Sequence, residues 1–232
     1  TQSADSYYLK EKALINGWKR LLSLDDCAFY LVQIANSGAT PTSAAPVLQS
    51  GGWNADTRLQ QGFALNLPHA GVASAVDIGN TVSWTGPNVW LAWHPTNKWD
   101  VGFRLGLWAM KNEYGETNLV TSGPVLRDVT VSGTNAICTF DYAGSGLMAG
   151  FKPVYGPAQP TNAPLALFSI AGANGTWYWA TATVTGSNTL QLASPSVAVP
   201  TQVAYACWQN PAGANFYNSN GLPALPFYVD NI

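Results

Sequence analysis

The chain has 232 residues, of which only 9% are charged and 12% are aromatic, with a net charge of −2. A disordered chain would be poor in aromatics and rich in charge, so a packed fold is expected. No run of Lys or Arg is present, which argues against nucleic acid and anionic membrane as partners. No stretch reaches the ~18 consecutive apolar residues of a membrane-spanning helix.

The opening Thr1-Gln2-Ser3-Ala4-Asp5-Ser6 is polar and lacks the apolar core of a signal peptide, as a mature, processed chain would. Residues 7–22 carry apolar positions at helical spacing, with Ser6 or Asp5 as cap. Phe29 to Ile34 is broken only by Gln33, the pattern of a buried parallel strand. Asn54 can cap a helix over residues 55–66, with Leu59, Phe63 and Leu67 on one face. Val72 to Ile78 reads as a second buried strand ending at Asp77 and Gly79. A third helix is expected from Thr96 to Tyr114, stopped by Gly115.

Helix, strand, helix, strand, helix is the order of a layered α/β sheet, expected here over residues 1–120. Ligands in such sheets collect at the carboxyl ends of strands, which marks Gln33 to Ser37 and the loop after Asp77 as site walls. From Gly123 the helical period disappears. Short β-rich runs follow at Val125–Val131, Ala136–Tyr142, Ala166–Ala171, Trp177–Val184, Thr189–Leu192 and Gln202–Trp208, separated by Gly- and Asn-containing turns. They predict an antiparallel β-domain over 121–210. Residues 211–232 lack periodicity and are expected to lie extended on the surface of the α/β part.

The chain has two histidines, so imidazole chemistry must run through His94 or His69. His94 sits where a Trp- and Gly-rich loop hands over to the third helix, a suitable place for a general base. The plainer alternative is a histidine beside a helix start with Pro at the first turn. His69 reads as structural, at a helix end where its charge suits the dipole. Trp90 and Trp93 flank His94 and offer either a substrate platform or loop packing, and Asn88 and Asn97 either orient the His94 loop or cap turns. Lys98 and Arg104 read as surface or loop anchors. Asp77 is expected to accept loop amides, with pairing to His94 as the alternative.

Low charge with abundant Trp, Asn, Thr, Ser and Gly suits a carbohydrate-handling protein, because sugar rings stack on aromatic faces and short polar side chains meet their hydroxyls. Cys27, Cys138 and Cys207 fit no metal spacing, so no metal or cofactor is expected. Their odd number allows one internal disulfide with a free thiol, or a bridge to another chain. Asn174-Gly175-Thr176 is a glycosylation sequon, compatible with a secreted or lysosome-like location.

The segment from Gly86 to Gly123, with His94-Pro95, Asn97-Lys98, Val101-Gly102, Arg104-Leu105 and Tyr114-Gly115, resembles the C-terminal portion of sialate O-acetylesterases and related carbohydrate acetylesterases. These are serine esterases of the SGNH type. The resemblance extends through Phe29-Tyr30-Leu31-Val32-Gln33, Ala75-Val76-Asp77-Ile78-Gly79 and Phe168-Ser169-Ile170-Ala171-Gly172. It ends on Tyr217-Asn218-Ser219-Asn220-Gly221-Leu222-Pro223-Ala224-Leu225-Pro226-Phe227, its most specific string. It implies part of a three-layer SGNH-hydrolase sheet, His94 as general base, and acetyl esters of carbohydrate as substrates.

Two departures qualify that implication. The family's Gly-Gln-Ser-Asn nucleophile motif is missing, so the chain looks like the second half of an enzyme, with the Ser on a second polypeptide as in a heterodimer. Many family members place an acid just before the histidine, where this chain has Leu91, Ala92 and Trp93. Asp77, Asp100 or a backbone carbonyl could substitute for it. The alternative is a non-catalytic sugar-binding or structural protein that kept the fold and lost the triad.

Overall fold

The computed structural model describes residues 5–48, 53–79 and 94–232. Helix α1 spans Asp5–Leu22 and strand β1 Phe29–Val32. Helix α2 covers Trp53–Gly62 and tightens into a 3-10 turn at Phe63–Asn66, where an uninterrupted helix over 55–66 was expected. That turn buries Ala64 against Val72 and Leu225. Strand β2 runs from Ala70 to Ala73, parallel to β1 with Leu31 opposite Val72. Helix α3 occupies Lys98–Asn112.

Both parallel strands stop short of their apolar runs, because side chains take over from the ladder. Ile34 N–H donates to Gln61 Oε1 at 2.7 Å, and Ser74 Oγ donates to Gln33 Oε1 at 2.7 Å. Val76 leaves the sheet and joins the core built by the later strands. Asp77 therefore lies in a turn beyond the strand. His69 is not at a helix end but at φ 58 just before β2, where its carbonyl accepts Phe29 N–H.

Asn97 caps α3 by accepting Asp100 N–H at 3.0 Å. Arg104, expected at the surface, is buried on the inner face of α3, as is Trp108. Trp108 Nε1 donates to the Val72 carbonyl at 3.0 Å. The helix lies so close to β2 that a Cβ at Gly71 would come within 2.4 Å of the Trp108 ring, so only glycine fits.

The remaining strands are β3 (Val125–Ser132), β4 (Asn135–Asp141), β5 (Leu147–Phe151), β6 (Gln159–Pro160), β7 (Phe168–Ala171) and β8 (Trp177–Trp179). After them come β9 (Thr181–Val184), β10 (Thr189–Ala193), β11 (Gln202–Tyr205), β12 (Phe216–Asn218) and β13 (Phe227–Asp230). They form antiparallel sheets in the orders β3-β4-β10-β9, β13-β11-β7-β8 and β12-β5-β6. Phe140, Phe168, Tyr205, Phe216 and Phe227, drawn from all three sheets, pack their rings at centroid distances of 4.5 to 6.3 Å. Edge-to-face contacts such as Phe140–Phe216 add to the area those rings bury.

Two readings of this half need correction. Trp177–Val184 is not one strand: it breaks at Ala180, and β8 and β9 enter different sheets. The last residues do not lie on the surface, since β12 pairs with β5, β13 pairs with β11, and Phe216 to Phe227 are buried outside the exposed turn at Ser219-Asn220. Cys27, Cys138 and Cys207 are all unpaired.

Candidate active site

A cleft of about 380 Å³ opens where β1 and β2 end. Gln33, Ile34, Ala35 and Ala75, just past the strands, line its base. Tyr7 of α1, Thr57 and Gln61 of α2, and Lys98 and Val101 of α3 line its walls, with His94-Pro95 at the rim. The cleft thus lies at the strand end where ligands are expected to collect.

The base is held by a network of buried side-chain hydrogen bonds. Gln33 is fully buried, donating Nε2 to the Arg58 carbonyl at 2.8 Å and accepting from Ser74. Gln61 accepts Ile34 N–H and lies within 3.4 Å of the Tyr7 hydroxyl. Behind Ala35, the fully buried Arg58 donates to the carbonyls of Ala35 (3.2 Å), Gln209 (2.9 Å) and Trp208. Burial lowers its pKa to about 10, which leaves it charged at neutral pH. Neither Arg58 nor Gln61 carries a local sequence signal, because their partners are far along the chain.

His94 is exposed, while Pro95 beside it is buried. The start of α3 is clamped from the other side by the β5–β6 connection. Asp100 accepts Gly156 N–H at 2.8 Å, Lys152 Nζ at 2.5 Å and Asn97 Nδ2 at 2.5 Å. Asn97 Nδ2 also donates to the Val154 carbonyl at 2.8 Å. Asn97 therefore caps the helix and ties its start to the β5–β6 connection, and Lys152 joins it there without any sequence hint.

Asp77 lies behind the cleft, with both carboxylate oxygens engaged by Arg104 at 2.7 and 2.8 Å, and Tyr217 OH donates to Oδ2 at 3.2 Å. Asn88, Trp90 and Trp93 lie outside the described residues. Asn174 is exposed in the β7–β8 turn, accepting Thr176 N–H at 3.0 Å. Among the described residues no three His, Cys, Asp or Glu side chains gather as a metal site, and no helix is long and apolar enough to cross a membrane.

Neither protein-family models nor curated proteins match the sequence. A solved structure that does is a carbohydrate acetylesterase from Xanthomonas citri, with a TM-score of 0.79 and 32% identity over 97% of this chain. The chain spans 46% of that protein's length. What the chain shares with it is an acetylesterase-like fold.

Proposed function

We propose that this chain is the histidine-bearing part of a serine-type esterase that removes acetyl groups from carbohydrate, with the nucleophile on a second polypeptide. The carrying observation is His94 at the rim of a strand-end cleft in a chain 32% identical to a carbohydrate acetylesterase. In this reading the Ser Oγ attacks the acetyl carbonyl carbon while His94 takes the Oγ proton. The tetrahedral intermediate collapses as the imidazolium returns that proton to the sugar oxygen, leaving acetyl-serine and a free sugar hydroxyl. Water then attacks the acyl group with His94 again as base, releasing acetate and restoring the Ser. With Asp77 held by Arg104 and Tyr217, the acceptor that orients the imidazole is a backbone carbonyl, which fixes the tautomer but stabilises the cation less than an acid would.

Two features support a further α/β segment. Among the described residues β1 pairs only with β2, which leaves both strands of this parallel sheet as edges open to further pairing. Helix α1 turns Glu11, Ile15 and Lys19 inward while Leu14, Trp18 and Leu21 remain exposed on another side, an apolar face suited to burial.

The second reading, a sugar-binding protein without catalysis, is favoured by the commitment of Asp77 to Arg104. Hydrolysis of 4-nitrophenyl acetate and of acetylated xylan by the natural full-length protein or complex separates the two. Acetate release that a fluorophosphonate blocks and that His94→Ala abolishes supports the esterase. Saccharide binding with no acetate release supports the second reading.

A further inference from the structure

The pleat divides the sheet β13-β11-β7-β8 into two unlike faces. Phe168, Ile170, Tyr178, Val203, Tyr205, Phe227 and Val229 point into the core. Their neighbours point outward, and the register aligns them in two rows. Trp179, Ser169, Ala204 and Tyr228 form one, and Trp177, Ala171, Gln202 and Asp230 the other.

The middle of this outer face is made of small side chains, with Ser169, Ala171 and Ala204 fully buried. The aromatics come from the two edge strands. Over that low floor the rings of Trp177 and Tyr228 meet from opposite edges, with centroids 5.8 Å apart. Trp177 and Tyr228 are partly exposed and Trp179 is 43% exposed. Asp230 is the one charged side chain in the two rows, and Gln202 beside it offers a neutral donor and acceptor.

The patch and the cleft base are tied together through the buried interior. The Trp179 ring rests on Trp208, 5.0 Å between centroids, and the Trp208 carbonyl accepts from Arg58, whose other arm bonds Ala35 in the cleft base.

We propose that Trp177, Trp179 and Tyr228 form a binding platform for a neutral glycan chain, an outlying subsite for the polysaccharide whose acetyl groups reach the His94 cleft. Exposed ring faces stack against the C–H faces of sugar rings, while Gln202 and the Tyr228 hydroxyl serve the sugar hydroxyls. A nearly uncharged surface neither attracts nor needs an anionic polymer. The platform deepens the esterase reading, but its test requires no turnover.

The test is affinity electrophoresis and calorimetry of the natural protein with unacetylated cellohexaose, xylohexaose and mannohexaose. At least one should bind and quench Trp fluorescence. Trp179→Ala should weaken that binding about tenfold, the effect of one lost stacking contact, and Trp179→Phe should retain most of it. Thermal unfolding checks each variant, because Trp179 also covers the buried Trp208. Tyr228→Phe tests the hydroxyl alone. Failure of all three saccharides to bind, or unchanged binding in Trp179→Ala, overturns the platform even if the esterase is active. Binding lost in Trp179→Ala sustains it even if no acetate is released.

Discussion

Arg104 closes a bidentate ion pair on Asp77, with both side chains almost excluded from solvent. Arg104 Nη1 also donates to the Ser74 carbonyl at 2.6 Å, and Tyr217 of β12 donates to the same carboxylate. The pair thus ties together α3, the loop after β2 and the antiparallel sheets. Burial by itself would lower the guanidinium pKa, but the charge and hydrogen bonds of Asp77, with the charge of Asp100, together outweigh it and the pKa is raised. Burial, and then the Asp77 charge, push the Tyr217 phenol up, which keeps it a donor.

Removing one partner leaves the other charge buried and uncompensated. Arg104→Met should therefore cost about 3–5 kcal/mol, measured by urea unfolding. Arg104→Met with Asp77→Leu should recover much of that loss, because the stranded carboxylate is gone too. Equal losses in the single and double variants would refute a buried, isolated pair.

Some of this arrangement was legible in the sequence and some was not, for physical reasons. Helix α3 was readable because Asn97 caps it and Gly115 stops it, and the β3–β4 hairpin because Gly133-Thr134 makes its turn. Arg104 looked like a surface residue because nothing local shows that Asp77 and Tyr217 will enclose it. In α1 the apolar period was real, but spacing alone could not say that Glu11 and Lys19 would face inward and Trp18 outward. The break at Ala180 has no turn residue to announce it, since a strand that changes sheets needs none. The Gln33 and His94 sides of the cleft followed from strand ends and loop position, whereas Tyr7, Gln61 and Arg58 come from helices that only the fold brings there.

His94→Ala should abolish aryl acetate hydrolysis, a loss of about 10³-fold or more in kcat for the general base of a triad. The melting temperature should stay within about 2 °C, because surface substitutions rarely change stability by more than ~0.5 kcal/mol. Residual activity above a tenth of the natural rate would remove His94 from the mechanism.

Lys152 makes a different prediction because it acts through Asp100. Asp100 is buried, and Lys152→Met would leave its carboxylate hydrogen-bonded to the amide of Gly156 and the side chain of Asn97 without its ion-pair partner. Stability should fall by about 3 kcal/mol. Loosening of the β5–β6 clamp should let the His94 loop move, so kcat for the aryl ester should drop about tenfold with little change in KM. Lys152→Arg, which keeps the charge, should restore most of both. A KM effect alone would mean that Lys152 meets the substrate rather than positioning the loop.

Glu11 sets a pH dependence of its own. It faces inward on α1, its Oε2 has no hydrogen-bond partner among the described residues, and burial raises its pKa from 4.5 to about 7. Between those values the folded chain holds a proton that the unfolded chain releases. Stability from this group is therefore full below pH 4.5, declines as pH rises toward 7, and is flat above that. Glu11→Gln removes the ionisation and should make the protein more stable at pH 8, by at most about 3 kcal/mol. The two proteins should be nearly equal at pH 4. Urea midpoints at pH 4, 5.5, 7 and 8 give the comparison directly. A constant difference between them at every pH would show that Glu11 ionises normally in the folded chain, and with it that the inner face of α1 is open to water.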